Sequence, residues 1–338
     1  MSTFSMGMAA LGGVVLAGVV AWNTWTSRKN TPRQAEAPAG EDPVEPGQRQ
    51  EPVLDEATPL PVPEKRPALD ALIDAIAPIA VEQPVSGDAA LAAMPHTRRA
   101  GSKPMAIEGQ NAQTGEWETP QPGRRYTAFQ AGVQLANRTG HLNEIEYSEF
   151  VMKAQAFADA VGGALDLPDM LAEVARAREL DQFACDHDAQ LSFTLRARQA
   201  AWSPGYVQQH AVRLGFVPGV IPGRLVLPAA TQGLPPMLGL SFDTQAAMAD
   251  DPTQSALRDV TLSLDVPQVE RSEQPFARMR DAAVALATAM EGVITDDNGA
   301  IIQPEGLDVI GADLEKLYDI LDARDLSAGS PQARRLFS

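Results

Sequence analysis

The chain has little of what most reactive sites are made from. Its 338 residues contain one cysteine, Cys185, and four histidines. One thiol makes no intramolecular disulfide, which suits the cytoplasm. Cys185 with His187 two residues on makes no zinc site either, because such a site takes four ligands and no second pair exists. Basic residues number 27 against 44 acidic ones, a net charge of -17. A chain this acidic is ill suited to phosphate backbones, so nucleic acid is excluded as a partner. No glycine-rich phosphate loop precedes a helix, and no Ser or Cys nucleophile sits in a recognisable motif. The expectation is no enzyme, no cofactor and no metal.

Charge is also missing from residues 1–27, and Met6 to Trp22 is apolar apart from glycines. At about 1.5 Å per residue that length crosses most of a roughly 30 Å hydrocarbon core, so residues 4–27 are expected to form one transmembrane helix. Arg28, Lys29 and Arg33 follow the span and nothing basic precedes it, which places the short N-terminus outside and the long C-terminal part in the cytoplasm. Ala9, Gly13, Ala17 and Ala21 recur every four residues, the small-residue face on which two such helices approach closely as a homodimer.

Residues 28–103 are expected to be a Pro-rich disordered linker, too poor in apolar periodicity to offset the entropy of ordering. Some seventy coil residues reach about 45 Å in root-mean-square terms. Within them, Leu69, Leu72, Ile73 and Ile76 share one face of a short docking helix that Pro78 would stop, although so short a helix is marginal alone and a transient solvated turn in the linker is the favoured reading. Order is expected to resume in an additional α+β unit over 104–188. Its strands lie around Pro104–Glu108, Glu116–Glu118 and Tyr126–Asn137, and a helix follows that is capped by Asn143 with Glu146 three residues on. Phe157 to Gly163 and Pro168 to Leu171 repeat the pattern of Leu286 to Gly292 and Pro304 to Leu307, which reads as a divergent half-repeat.

The richest stretch runs from Arg258 to Asp322. Val260, Leu262, Leu264 and Val266 alternate with Thr261, Ser263 and Asp265, the period of a half-buried strand. Phe276, Met279, Ala283, Leu286 and Met290 then share one helical face, closed by Glu291-Gly292 with the glycine in the left-handed position. Val293 to Ile302 folds back through Asn298-Gly299 as a hairpin. Pro304 opens a last helix with Leu307, Ile310, Leu314, Leu317 and Leu321 on its buried side. Upstream, Leu191, Phe193 and Leu195 alternate with Ser192, Thr194 and Arg196. Ser203-Pro204 opens a helix, and strands follow through Leu227 and over Met237 to Phe242. The fold class is α+β: split βαβ units building a mostly antiparallel sheet with helices on one face, behind the membrane helix and the linker.

Asp265-Val-Pro267, Phe276, Gly292-Val-Ile-Thr-Asp-Asp297 and Ile301-Ile-Gln-Pro304 with Leu307 occur in the register of the C-terminal domain of the bacterial cell-division protein ZipA, which this stretch resembles. The resemblance covers about 189–325 together with the anchor, and leaves 326–338 as a tail. It implies an adaptor of the inner membrane that binds the C-terminal tail of FtsZ, tethers the division ring to the membrane and helps septum assembly. It also implies that the tail lies on the open face of the sheet. Strand parity puts Gln190, Ser192, Thr194, Ile221, Ser241, Asp243, Thr261 and Ser263 on that face. Only Ile221 among them is apolar, whereas the family holds the tail largely through apolar side chains. Three explanations stay open: polar and main-chain contacts, an outward register shifted by one residue, or a face covered by the extra unit. The alternative function is a membrane-tethered signalling or nucleotide-handling enzyme of ferredoxin-like fold. Asp265, Asp296 and Asp297 would be its metal carboxylates, although Asp296 to Gly299 is more simply turn chemistry.

Overall fold

A strand begins where the composition argued for a linker. The structure, a computed structural model, describes residues 32–35, 69–249 and 255–338. The expected membrane helix at 4–27 lies outside them. Among the described residues no helix is long and apolar enough to cross a membrane. The chain divides into two compact units. Of the described residues, the first comprises 69–189, 266–271 and 315–338, and the second comprises 32–35, 190–249, 255–265 and 272–314.

The first unit opens with β1 (Asp74–Ser86) and α1 (Gly87–Ala93). Next come β2 (Arg99–Ala100), β3 (Lys103–Asn111), β4 (Trp117–Glu118), β5 (Arg125–Gln134) and the short pair β6 (Ala136–Asn137) and β7 (Gly140–His141). The chain continues through α2 (Glu144–Val161), β8 (Gly163–Leu165) and α3 (Met170–His187). Its main sheet runs β2-β3-β5-β1-β8 with antiparallel neighbours. The linker expected over 28–103 is therefore folded from Leu69 onward: neither the docking helix nor the solvated turn of a linker forms at 69–76, which is an ordered turn leading into β1.

Two physical reasons account for the difference. Ala75, Ala77 and Ile79 alternate inward on β1, but two of the three are alanine and add little to a hydrophobic period. Pro78 breaks no ladder. Its carbonyl accepts from Asp166 N–H at 2.9 Å, so its missing N–H points past the end of β8, where no strand bond is lost. The inward row of β1, with Met105, Ile107, Phe129, Ala131 and Val133, buries against Phe150, Ala154 and Phe157 of α2. The rings of Phe129 and Phe157 meet edge to face at 5.2 Å, a favoured aromatic geometry. The expected cap of α2 is present: Asn143 accepts from the N–H groups of Ile145 and Glu146, and Glu146 returns a bond to Asn143 N–H. Burial alone would raise the Glu146 pKa. The hydroxyl and N–H of Ser102, the Asn143 N–H and the charge of Lys103 outweigh it and hold the carboxyl below its usual range.

In the second unit β9 (Gln190–Ala197), α4 (Pro204–Val212), β10 (Val217–Pro218), β11 (Arg224–Leu227), β12 (Leu238–Ser241), the single turn α5 (Thr244–Ala247) and β13 (Asp259–Asp265) follow in order. Then come α6 (Pro275–Ala289), β14 (Gly292–Thr295) and α7 (Pro304–Asp322), whose last residues, from Glu315, count with the first unit. The sheet runs β10-β11-β12-β13-β9-β14, again antiparallel throughout. Matching β9, α4, β11, β12, β13, α6, β14 and α7 to β1, α1, β2, β3, β5, α2, β8 and α3 gives the same sheet order in both units. The repeat thus includes a first strand and helix, β1 and α1, that the expected boundary at 104 left out.

The segment 326–338, expected to be a tail, carries α8 (Pro331–Leu336) and is built into the first unit. Leu326, Ala333, Leu336 and Phe337 are buried. Arg335 forks onto Asp74, which is 0% exposed, at 2.5 and 2.9 Å. Gln268 donates to the carbonyl of Phe337 at 2.7 Å. Removing one partner of a buried pair leaves the other charge uncompensated, which costs about 3–5 kcal/mol. Arg335→Ala is therefore expected to lower the unfolding free energy of the first unit by that amount, read by urea denaturation of the purified chain. Tyr318 presents the opposite case. Its hydroxyl is buried without a hydrogen-bond partner among the described residues, and burial pushes its pKa up to about 12. An unsatisfied buried hydroxyl costs about 1–3 kcal/mol, so Tyr318→Phe, which keeps the Arg271 guanidinium over the ring, is expected to leave stability unchanged or raise it.

Candidate functional site

The second sheet has two unlike faces because its strands alternate apolar and hydroxyl residues in register. Phe193, Leu195, Leu225, Leu240, Val260, Leu262 and Leu264 are all buried on one side. Phe276, Met279, Ala283 and Leu286 of α6 are buried with them, and the rings of Phe193 and Phe276 meet edge to face at 6.4 Å. The other side shows hydroxyls. Pairing across β11, β12, β13, β9 and β14 lines up Arg224, Ser241, Thr261, Thr194 and Thr295 in one row. Gly239, Ser263 and Ser192 form a second row, Asp265 and Gln190 a third, and Asp259, Arg196 and Val293 a fourth.

Six of the eight expected face residues, Gln190, Ser192, Thr194, Ser241, Thr261 and Ser263, therefore share one side of one sheet, and a one-residue slip is excluded by the buried partners between them. The other two fall elsewhere. Ile221 lies in the loop joining β10 to β11, 53% exposed, with its carbonyl accepting from Arg224 N–H at 3.0 Å. Asp243 caps α5, its carboxylate accepting from Gln245 N–H at 2.8 Å. Both displacements have one cause: the strands end earlier than alternation alone suggests, because Gly219 and Gly223 turn the chain tightly into β11 and Asp243 starts a helical turn.

Within the face, polar groups hold one another. Ser192 donates to Asp297 at 2.6 Å, Ser263 to the carbonyl of Gly239 at 3.3 Å and Thr295 to the carbonyl of Thr194 at 3.2 Å. Arg196 pairs with Asp259 at 2.8 Å, and that hydrogen bond raises the pKa of the guanidinium. A side chain on Gly239 would meet the Ser263 hydroxyl at 2.7 Å, and Arg224 reaches over the same spot. Two cations, Arg196 and Arg224, thus join the hydroxyl rows, and neither was among the expected residues. Arg196 was within reach of parity, two residues past Thr194. Arg224 depends on where the preceding loop turns, which no local period reveals.

The hairpin after α6 forms as expected and adds the last strand. Gly299 N–H bonds to Asp296 O at 3.0 Å and Asp296 N–H to Ala300 O at 2.9 Å. Gly299 alone of the tip takes a positive φ, 80°, so the connection is a type I turn followed by a left-handed glycine. The Asp296 carboxylate accepts from the N–H groups of Asn298 and Ala300 at 2.9 and 2.8 Å. Its place in the turn accounts for it without a metal. Among the described residues no group of three His, Cys, Asp or Glu side chains could hold one. His187 stacks on Phe183 at 4.3 Å, and Cys185 is exposed on α3 with its thiol pKa raised by desolvation and by Asp181, Asp186 and Asp188.

The end of α6 differs from expectation by one residue. Glu291 takes the left-handed conformation, φ 53°, while Gly292 sits in β14 with no room for a side chain. A Cβ there would lie 3.1 Å from Cζ2 and Cη2 of Trp202. Gly292→Ala is expected to force the indole aside and cost about 1–3 kcal/mol, measured as a loss of the second unit's urea midpoint.

Residues 245–312 match the family described as ZipA, C-terminal FtsZ-binding domain. The matched segment contains β13, α6, β14 and the start of α7, and so supplies the central strand of the hydroxyl face and the hairpin at its side. This agrees with the resemblance read from the sequence. No curated protein matches the chain.

Proposed function

We propose that the chain is a membrane-anchored adaptor of cell division that holds the C-terminal tail of FtsZ on the open face of its second sheet. The observation that carries the reading is the family match, which falls on the strand and hairpin that build this face. The expected span at residues 4–27 supplies the anchor, single-pass in the inner membrane with the folded units in the cytoplasm. Ala9, Gly13, Ala17 and Ala21 supply its dimer face. Such an adaptor ties the polymer to the membrane and supports septum assembly without catalysis.

The polar surface changes how a peptide would be held. Serine and threonine hydroxyls both donate and accept, and each net hydrogen bond contributes about 0.5–1.5 kcal/mol. The guanidinium of Arg224 adds charge-assisted contacts to carboxylates of the ligand. A micromolar site corresponds to roughly -8 kcal/mol. That is enough along a polymer, where each bound subunit raises the effective concentration for the next.

The test is binding of the full chain in nanodiscs to FtsZ of the same organism. Removing the extreme C-terminal tail of FtsZ is expected to abolish binding. Ser263→Trp, which puts bulk at the centre of the face, is expected to weaken binding about tenfold, or by about 1.4 kcal/mol, with an unchanged melting curve. Leu262→Asp, on the buried side, is expected to unfold the unit by burying an unpaired charge. Full binding by Ser263→Trp would move the site off this face. Indifference of the intact chain to FtsZ would remove the function.

A further inference from the structure

Four residues just beyond the expected membrane span are folded into the second unit. Arg33 forms a single parallel bridge to Trp202: its N–H donates to Ala201 O at 2.7 Å and its carbonyl accepts from Ser203 N–H at 2.8 Å. Trp202 in turn exchanges both main-chain bonds with Leu257 at 2.8 Å, so its main chain is bridged on both sides. Pro32 is buried, the Arg33 guanidinium binds the Glu291 carboxylate, and the Cβ of Ala35 lies 3.8 Å from where a Cβ on Gly205 would stand. Main-chain pairing, a buried proline and an ion pair together specify one register for this segment, as in strand addition to a sheet edge.

Resting on the anchor reading above, we propose that the Trp202 edge is a docking site for this chain's own juxtamembrane residues Pro32–Ala35, clamping the FtsZ-binding unit at the bilayer face. The arithmetic is short. Between the last residue of the expected span, Ser27, and Pro32 there are five Cα steps, at most about 18 Å of extended chain. If the segment were free, some forty coil residues would precede Leu69, and the root-mean-square reach would be about 35 Å. The clamp replaces a long search radius with a fixed height, so the tail of FtsZ would be taken up close to the headgroups.

The experiment uses the full chain with Cys185→Ser, reconstituted into vesicles of phosphatidylethanolamine and phosphatidylglycerol. Ala35→Cys with Gly205→Cys places two thiols at the Cβ separation typical of a disulfide. Mild oxidation is expected to give a monomer-sized cross-linked band on a non-reducing gel. A dimer-sized band would mean that the segment is exchanged between copies, and no band would mean that it does not dock; either overturns the proposal. In a second arm, Arg198→Cys carries a fluorophore and the vesicles carry an acceptor lipid. Energy transfer is expected to be strong and to fall when Arg33→Glu sets like charges against Glu291. Equal transfer with and without that substitution would refute the clamp. A chain that cross-links correctly but is stripped from the vesicles by carbonate would refute the anchor, and the membrane placement with it, while leaving the docking itself standing.

Discussion

Burial of Trp202 is the contact on which most of the second unit depends. The side chain is 0% exposed and its indole N–H donates to Met290 O at 2.8 Å, at the last turn of α6. An aromatic of this size removes some 150–250 Å² from water, and its N–H must find a partner when it does so. The consequences spread along the chain. The ring crowds residue 292, where a Cβ would stand 3.1 Å from it; β14 begins there with glycine, and the left-handed turn falls on Glu291. That turn sets Glu291 beside Arg33, while the main chain of Trp202 pairs with Leu257 on one side and Arg33 on the other. One buried ring thus connects the exit of a helix, the start of a strand and a segment 169 residues upstream.

The two units solve the same packing problem with the same order of strands and helices. In each, leaving aside β4, β6, β7, β10 and the single turn α5, a strand and a helix are followed by three strands, a helix, a single edge strand and a helix, and the first strand inserts between the third of those three and the edge strand. That arrangement buries one sheet face under the helix that precedes the edge strand, α2 in the first unit and α6 in the second. The sequences fill it differently. The first unit uses alanines on β1 and the C-terminal Leu336 and Phe337 to complete its interior; the second uses Leu and Phe on every central strand.

A hydroxyl face has a cost and a use. It offers a ligand no large apolar area, so affinity per site is modest at about 25 cal/mol per Å² of apolar burial. It offers direction, because each hydroxyl and each guanidinium accepts only a partner in the right place. A face of this kind suits reversible capture along a polymer better than permanent assembly.

The sequence by itself determined everything carried by a local period or a local cap. The alternation of β9 and β13, the capping box of Asn143 with Glu146, the helix starts at Ser203-Pro204, Pro275 and Pro304, and the hairpin at Gly299 are each decided within a few residues. The six residues of the hydroxyl face that alternate with buried partners were legible for that reason. What the tertiary structure decided had no local signature. Ile221 and Asp243 left the face because strand ends depend on loops. β1 took strand form despite Pro78 because no neighbour needed its N–H. The C-terminal residues became interior because Arg335 finds Asp74, 261 positions away, and Arg33 is bridged because Ala201 and Ser203, either side of Trp202, offer it main-chain partners. Contacts of such separation leave no periodicity in the chain, since they depend only on what folding brings together.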